Sequence, residues 1–315
     1  MAKLSENVPL SDYTTYKIGG PARYFAEAKK ETDIAEILNE FESRVPNGKV
    51  FILGGGANVL FADDGYDGLV LKISLSEMEL TENGIRAGAG TSLKDVVQFA
   101  LENNLSGMEF IAGCPGSFGG AIRGNAGAFG GEMKDCITSV RSIIINAPKK
   151  IIERKNEGNM FGYRTSIFKT DAKNEIILSG EVRLVLENAN SIKERMESNL
   201  NYRKEKHPME WPSAGSTFKN ISVQELSEEQ KRKWKDKIKT DPIPVLPAAV
   251  LISEAGLIGK AIGGAKISEK HPNFFINAGN ATAKDVKELI VFVKKTVKEK
   301  FKINLKEEIQ IVNSN

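Results

Sequence analysis

The chain has 315 residues, of which 41% are hydrophobic and 27% are charged, a composition typical of folded proteins. This length has room for about two domains. The 44 basic and 41 acidic residues leave a net charge of +3, which is too small to indicate nucleic acid as the main partner. Two cysteines, Cys114 and Cys136, exclude a disulfide framework and a Cys-rich zinc site, so we expect no bound metal.

The chain shows no pattern typical of export or of membrane insertion. Its first ten residues lack a continuous apolar run, and its most apolar later stretch, 245–262, is interrupted by Pro247, Glu254, Gly256 and Lys260. We therefore expect a cytoplasmic protein.

The first third of the chain predicts helices alternating with strands. Apolar residues recur at helical spacing from Ile34 to Phe41, behind Thr32 as a candidate N-cap. A second helix is predicted after Ser92, which forms a capping box with Asp95. Strands are predicted at 49–53, 68–74 and 85–89.

The middle of the chain predicts strands, and the last part predicts a separate domain. The stretch from 139 to 186 favours a largely antiparallel sheet, and a polar helix then leads to a boundary near His207. A helix from Thr282 to about Lys300 begins with a capping box to Asp285, and a final strand is predicted at 308–312.

A charged run lies between Ile221 and Leu246. Its polarity on most faces favours a solvated surface insertion, and contact with a phosphate is the less favoured alternative.

Three consecutive glycines follow a predicted strand in the segment LGGGANVL, Leu53 to Leu60. A dinucleotide fingerprint would need a glycine at Val59, and only about ten residues separate Gly56 from the next strand, too few for a crossover helix. The segment instead predicts a turn whose backbone N–H groups bind an anion.

The strongest signal is the segment from Gly113 to Glu132, which contains eight glycines. We see neither helical nor strand periodicity in it and expect none of it to pack in a core. Long loops inside compact domains are usually functional. With Ser117 and Asn125 as side-chain donors, the segment predicts a cradle for the pyrophosphate and flat ring of a nucleotide cofactor.

Two polar clusters, YRTSIFK at 163–169 and PSAGSTFKN at 212–220, contain candidate reactive groups. Taken alone, Arg164 is explained by a surface ion pair and Ser216 by a turn. The second cluster places a hydroxyl, a cation and an amide around glycine, which is expected of a site for a polar substrate.

Several motifs in a fixed order resemble the UDP-N-acetylenolpyruvoylglucosamine reductase family over nearly the whole chain. They are TTYKIGGPA, LGGGANVL, GNAGAFGGE, YRTSIFK, PSAGSTFKN, EAGLIGKAIGGAKIS, KHPNFFINAGNATAKDV and the terminal strand with Glu308. The resemblance implies an α+β fold: a two-lobed FAD-binding domain of the vanillyl-alcohol-oxidase (PCMH) type plus a smaller α+β C-terminal substrate domain. We place the FAD-binding domain at 1–187, with lobes at about 1–74 and 75–187, a connecting helix at 188–206 and the substrate domain at 207–315.

The resemblance also implies non-covalently bound FAD, NADPH as the hydride source and a UDP-sugar enolpyruvyl ether as the substrate. The resemblance places the catalytic positions at Arg164, Ser216 and Glu308. It implies that Arg164 and a protonated Glu308 stabilise negative charge and that Ser216 donates a proton. The expected FAD-binding residues are Leu53, Gly54, Gly55, Gly56, Ala57, Asn58, Val59, Gly113, Pro115, Gly116, Ser117, Gly119, Gly120, Ala121, Asn125, Ala126 and Gly127. The expected substrate-binding residues are Tyr163, Lys206, Lys219, Asn220 and Glu254.

This chain departs from the family pattern at Cys114, where an aliphatic residue is usual, and in the lead-in to Glu254. The short span from Arg164 to Ser216 favours the shorter subtype, and we expect a monomer. Two alternatives stay open: a flavin oxidase of the same superfamily that uses oxygen, and a catalytically silent binding protein. The only histidines, His207 and His271, lie at or beyond the predicted boundary, which excludes a histidyl–flavin bond in the first domain.

Overall fold

A computed structural model describes residues 4–240 and 243–314. The strands are β1 (Ser5–Pro9), β2 (Pro21–Ala28), β3 (Val50–Leu53), β4 (Val59–Phe61), β5 (Tyr66–Ile73), β6 (Met78–Thr81), β7 (Gly84–Gly88), β8 (Leu105–Ser106), β9 (Gly127–Ala128), β10 (Gly131–Glu132), β11 (Ile137–Ile144), β12 (Ala147–Lys155), β13 (Glu175–Arg183), β14 (Val185–Leu186), β15 (Ser213–Ser216), β16 (Ile221–Ser222), β17 (Val245–Leu246), β18 (Ala261–Ile262), β19 (Ala265–Ile267), β20 (Phe274–Asn277) and β21 (Gln310–Val312). The helices are α1 (Glu31–Arg44), α2 (Leu93–Glu102), α3 (Phe118–Gly124), α4 (Met133–Cys136), α5 (Ala189–Lys206), α6 (Glu228–Lys233), α7 (Ala248–Glu254) and α8 (Ala283–Phe301). None of the helices in the described ranges is long and apolar enough to cross a membrane.

The first of two compact units comprises residues 4–8, 22–55 and 66–201. One sheet has the strand order β1-β2-β5-β3, in which β2 and β3 both run parallel to β5. A second sheet has the order β12-β11-β13-β7-β6 and is antiparallel throughout. The antiparallel pairing predicted for 139–186 is therefore confirmed.

The second unit comprises residues 9–21, 56–65, 202–240 and 243–314. Its main sheet is antiparallel with the order β15-β20-β19-β18, and β21 pairs in parallel with β4. Segment 56–65 belongs to this unit because its strand β4 pairs with the last strand, and segment 9–21 belongs to the same unit. The sequence placed both segments in the first domain. Tyr16, Ile18 and Leu60 from these segments are buried in the second unit's core.

The N-terminal caps of α8 and α1 test the predictions made from local sequence patterns. Thr282 accepts the N–H of Asp285 at 3.0 Å, and the Asp285 carboxylate accepts the N–H of Thr282 at 3.0 Å, as predicted. This backbone hydrogen bond lowers the pKa of Asp285. The apolar face predicted for α1, from Ile34 to Phe41, is buried. The predicted cap at Thr32 was wrong, because the helix begins at Glu31 and Asp33 accepts the N–H groups ahead of it.

The charged run is anchored more firmly than a solvated insertion. Although α6 has no buried residue, Trp234 directly after it is only 2% exposed and packs edge-to-face on Phe301 at 5.5 Å. The indole N–H of Trp234 donates to Glu254 at 2.9 Å. Asp241 and Pro242 of this run lie outside the described residues.

Candidate functional site

Two glycine-rich segments of the first unit meet through their backbones. Gly55, directly after β3 and Gly54, donates its N–H to the Ser117 hydroxyl at 3.2 Å. A Cβ on Gly55 would lie 2.6 Å from the Gly116 Cα and 2.7 Å from the Ser117 nitrogen. Only glycine at position 55 allows this close approach.

The glycine-rich segment contains a helix that the sequence did not predict. Phe118, Ala121 and Ile122 of α3 are buried at helical spacing, and Ser117 caps the helix by accepting the Gly120 N–H at 3.4 Å. Glycine disfavours an isolated helix, so the helix forms because its apolar face is buried. The sequence predicted that no part of this segment packs in a core, and that prediction was wrong.

The same helix also presents a face without side chains. Gly120 and Gly124 lie four residues apart, and a Cβ on each would have its nearest neighbours at 3.3 Å, from Ser117, and 3.9 Å, from Lys169. Gly120 is exposed. Bare helix backbone beside the glycine turn allows the close approach of a pyrophosphate, so these residues fit FAD.

Asn125 connects this segment to the first polar cluster. It ends α3 in the left-handed conformation, with φ of 44°, and is fully buried. Its amide nitrogen donates to the Gly162 carbonyl at 3.0 Å, and its oxygen accepts the Lys134 N–H at 2.9 Å. The side chain expected to contact the cofactor thus has both ends bonded within the protein.

Arg164 lies at the tip of a tight turn. The backbones of Gly162 and Thr165 bond each other in both directions at 3.0 and 3.1 Å, which leaves Tyr163 and Arg164 as the two tip residues. Arg164 has φ of 56°, a region costly for a residue with a side chain. Its guanidinium lies 5.4 Å from the centre of the Tyr163 ring, and Lys169 Nζ donates to its carbonyl at 2.8 Å. A strained residue that the surroundings hold in place is typical of a functional site.

Ser216 and Glu308 lie on neighbouring segments of the second unit. Ser216 ends β15, and the N–H of Glu308 donates to the carbonyl of Thr217 at 2.8 Å. Both side chains are half-buried. Glu308 was expected in the last strand, but it precedes β21, which begins at Gln310.

Asn58 of the second unit bonds the segment that contains Glu308. Its amide nitrogen donates to the carbonyl of Glu308 at 3.1 Å, and its own carbonyl accepts the N–H of Gln310 at 3.0 Å. One predicted cofactor residue and one predicted catalytic residue are therefore directly bonded within the second unit.

The expected substrate-binding residues of the second unit occupy different settings. Lys206 is exposed at the end of α5, and Lys219 is half-buried. Asn220 accepts the N–H of Ala248 at the start of α7 at 3.2 Å. Glu254 ends α7, where it accepts the Trp234 indole N–H.

Sequence reasoning missed an aromatic cluster beside Ser216. Phe274 is the β20 partner of Ser216, and the rings of His207 and His271 lie 4.9 and 4.8 Å from its ring. Burial, with nearby positive groups, lowers the pKa of each histidine to about 4, so both are neutral near pH 7. The signal was present in the motif KHPNFF, which contains His271.

Within 4–240 and 243–314, no group of three or more His, Cys, Asp or Glu residues is arranged to hold a metal ion.

Two family models match the chain. One, described as an FAD binding domain, covers residues 22–146, and the other, described as the C-terminal domain of UDP-N-acetylenolpyruvoylglucosamine reductase, covers residues 207–312. With the glycine segments of the first unit, these matches place the chain among α+β flavoproteins in which an FAD-binding domain precedes a smaller C-terminal domain, as expected.

Relatives that match nearly the whole chain identify the family within this class of flavoproteins. The UDP-N-acetylenolpyruvoylglucosamine reductase of Caldanaerobacter subterraneus is 39% identical over 312 residues, covering 98% of this chain and 94% of the relative. That of Bacillus subtilis is 36% identical over 320 residues, covering 100% and 96%. The crystal structure of the Thermus caldophilus enzyme matches with a TM-score of 0.76 at 30% identity, covering 99% and 100%. The chain belongs to the UDP-N-acetylenolpyruvoylglucosamine reductase family.

Proposed function

We propose that the protein catalyses the NADPH-dependent reduction of UDP-N-acetylglucosamine enolpyruvate to UDP-N-acetylmuramate, using FAD, in peptidoglycan precursor synthesis. The observation that carries this proposal is family membership over both domains at nearly full length. The protein is an FAD-dependent oxidoreductase, UDP-N-acetylmuramate dehydrogenase.

FAD, when bound, accepts a hydride from NADPH and passes it to the enolpyruvyl double bond. The turn at Gly54 and Gly55 and the bare face of α3 at Gly120 and Gly124 would let its pyrophosphate lie close to the backbone, because no side chains stand in the way. Ser117 fixes this arrangement by bonding both segments. The other predicted cofactor residues stay predictions.

The proposed catalytic groups act on the negative charge that the hydride creates on the substrate. Ser216 donates its hydroxyl proton to the carbon next to the substrate carboxylate, and it is protonated at every physiological pH. The Arg164 guanidinium and a protonated Glu308 stabilise the charge before that proton arrives.

The negative charge of the substrate suits the two lysines among the remaining predicted residues. We assign Lys206, Lys219 and Asn220 to the nucleotide diphosphate, and Tyr163 and Glu254 as further substrate-binding residues. We further propose that the protein is a monomer and that it works in the cytoplasm.

Absorption spectroscopy of the purified protein tests both halves of the reaction. Under anaerobic conditions, NADPH should bleach the visible absorption band of the flavin, and the enolpyruvyl substrate should restore that band. Absence of bleaching would indicate a flavin oxidase that takes its electrons from an alcohol or sugar, or a silent binding protein. Bleaching that only oxygen reverses would show that the enolpyruvyl ether is not the acceptor. Acid precipitation should release the chromophore, because the FAD is held without a covalent bond.

A further inference from the structure

The segment that follows Ser216 is paired with the segment that contains Glu308. Lys219 donates its N–H to the carbonyl of Lys306 at 2.9 Å, and Phe218 forms an antiparallel bridge with Glu307. The bond from Glu308 to the Thr217 carbonyl belongs to the same pairing. Movement of 217–219 would therefore move both proposed catalytic residues.

Asn273 holds this segment from the other side. Its carbonyl accepts the N–H of Thr217 at 2.7 Å. Its side-chain oxygen accepts the N–H of Phe218 at 3.0 Å, and its side-chain nitrogen donates to the carbonyl of Phe218 at 2.8 Å. Asn273 is 2% exposed and Phe218 is fully buried, so water cannot replace these bonds.

The reason for a side-chain clamp lies in the strand itself. Ser213 pairs with Ile276 and Ser216 with Phe274, so three steps along β15 match two along β20. Gly215, with φ of 74°, takes up the difference. The regular ladder ends at Ser216, and the amide of Asn273 extends it, because it offers the same donor and acceptor as a peptide group.

We propose that Asn273 is a positioning residue for substrate reduction, which sets the placement of Ser216 and Glu308 by clamping Phe218. This inference rests on the proposed function. Asn273 acts through the backbone of 217–219, and its effect falls on the step that uses Ser216.

The chain offers a matched control in Asn277, which lies on the same strand and is 9% exposed. Its side-chain oxygen accepts the N–H groups of Gly279 and Ala281 at 3.2 and 3.1 Å, and its nitrogen donates to the carbonyl of Tyr16 at 3.3 Å. Its side chain makes three hydrogen bonds to backbone groups, against two for the side chain of Asn273, and none of the three involves residues 217–219.

Stopped-flow absorbance of the FAD-loaded enzyme separates the two half-reactions, and thermal denaturation reports folding. Asn273→Ala should slow substrate reduction about 100-fold, the scale for misplacing reacting groups by about 1 Å, with flavin reduction by NADPH changed less than about twofold. Asn273→Asp, which keeps size and the acceptor for the Phe218 N–H, should fall between Ala and wild type. Asn277→Ala should not change the ratio of the two rates.

A double variant tests whether Asn273 acts through Ser216. Asn273→Ala added to Ser216→Ala should slow substrate reduction by much less than it does in the wild type. Full additivity, an equal loss in both half-reactions, or an Asn273→Asp variant no different from Asn277→Ala would overturn the inference. If Ser216→Ala itself reduces substrate at the wild-type rate, the proposed catalytic assignment fails instead.

Discussion

The glycine segments of the first unit, which we propose hold FAD, and the Ser216–Glu308 region of the second unit, which we propose acts on the substrate, are built in opposite ways. In the first, the backbone itself forms the surface, because Gly54, Gly55 and Gly120 have no side chains to cover it. In the second, side chains form the surface, and paired backbone segments hold them. A substitution should therefore act by steric exclusion in the first region and by loss of a chemical group in the second.

The largest effect is expected at Ser216, where the comparison predicts loss of chemistry without loss of structure. Ser216→Ala should slow substrate reduction by about 10²- to 10⁴-fold, the range for removing a positioned proton donor. Flavin reduction by NADPH should stay near the wild-type rate, because no proton from Ser216 is needed there. An equal loss in both steps, measured by stopped-flow absorbance, would identify Ser216 as a binding or folding residue.

Glu308 should show a graded response because its proposed role is to donate a hydrogen bond. Glu308→Ala should lower turnover about 10²- to 10³-fold, the scale for one lost electrostatic contact. Glu308→Gln keeps the size and a donor and should retain more activity. Steady-state turnover with saturating NADPH measures both, and wild-type turnover of Glu308→Ala would leave Arg164 as the charge-stabilising group.

Arg164 tests whether a side chain needed for function is kept despite backbone strain. Arg164→Gly removes the penalty of φ at 56° and should raise the free energy of unfolding by up to about 1 kcal/mol. Turnover should nevertheless fall, by about 10²-fold, because the guanidinium is lost. Arg164→Ala, which loses the guanidinium but keeps the strain, is the control: equal stability of the two variants would contradict this view of the turn.

Gly55 tests steric exclusion in the first unit. Gly55→Ala places a Cβ against the backbone at Gly116 and Ser117 and should lower the free energy of unfolding by about 1–3 kcal/mol and weaken FAD binding. Gly158→Ala is a suitable control, because its Cβ would meet only the Arg154 side chain, at 3.5 Å. Flavin fluorescence titration measures FAD affinity, and urea unfolding measures stability. Equal FAD affinity of the two variants would show that FAD binding does not depend on the close approach of Gly55 to Gly116 and Ser117.

The smallest effect concerns pH and the neutral histidines beside Ser216. The pKa of His207 and of His271 is lowered from 6.5 to about 4, so their contribution to stability is complete above pH 6.5 and is lost as the pH falls towards 4. The total loss should be on the order of 2 kcal/mol, because each ring is only partly buried. Arg203 and Lys239 add to the lowering. Urea unfolding between pH 7.5 and 4.5 should show a flatter profile for His207→Gln/His271→Gln than for the wild type.

The sequence alone determined those features that depend on neighbouring residues. Local hydrogen bonding explains two helix caps, the capping box of Thr282 with Asp285 and the Ser92 cap of α2. Side-chain periodicity explains the antiparallel strands of 139–186. The glycine segments were likewise visible, because clustered glycines are unusual outside close backbone approaches.

Tertiary structure decided the features that depend on distant partners. The bond from Gly55 to Ser117 spans 62 residues, and the Phe218–Asn273 clamp spans 55. The buried face of α3 and the place of 56–65 beside the last strand also depend on what packs against them. A local pattern encodes the backbone preference of a segment but not its partner, since one hydroxyl or amide can bond many peptide groups and only the folded chain brings one of them within reach.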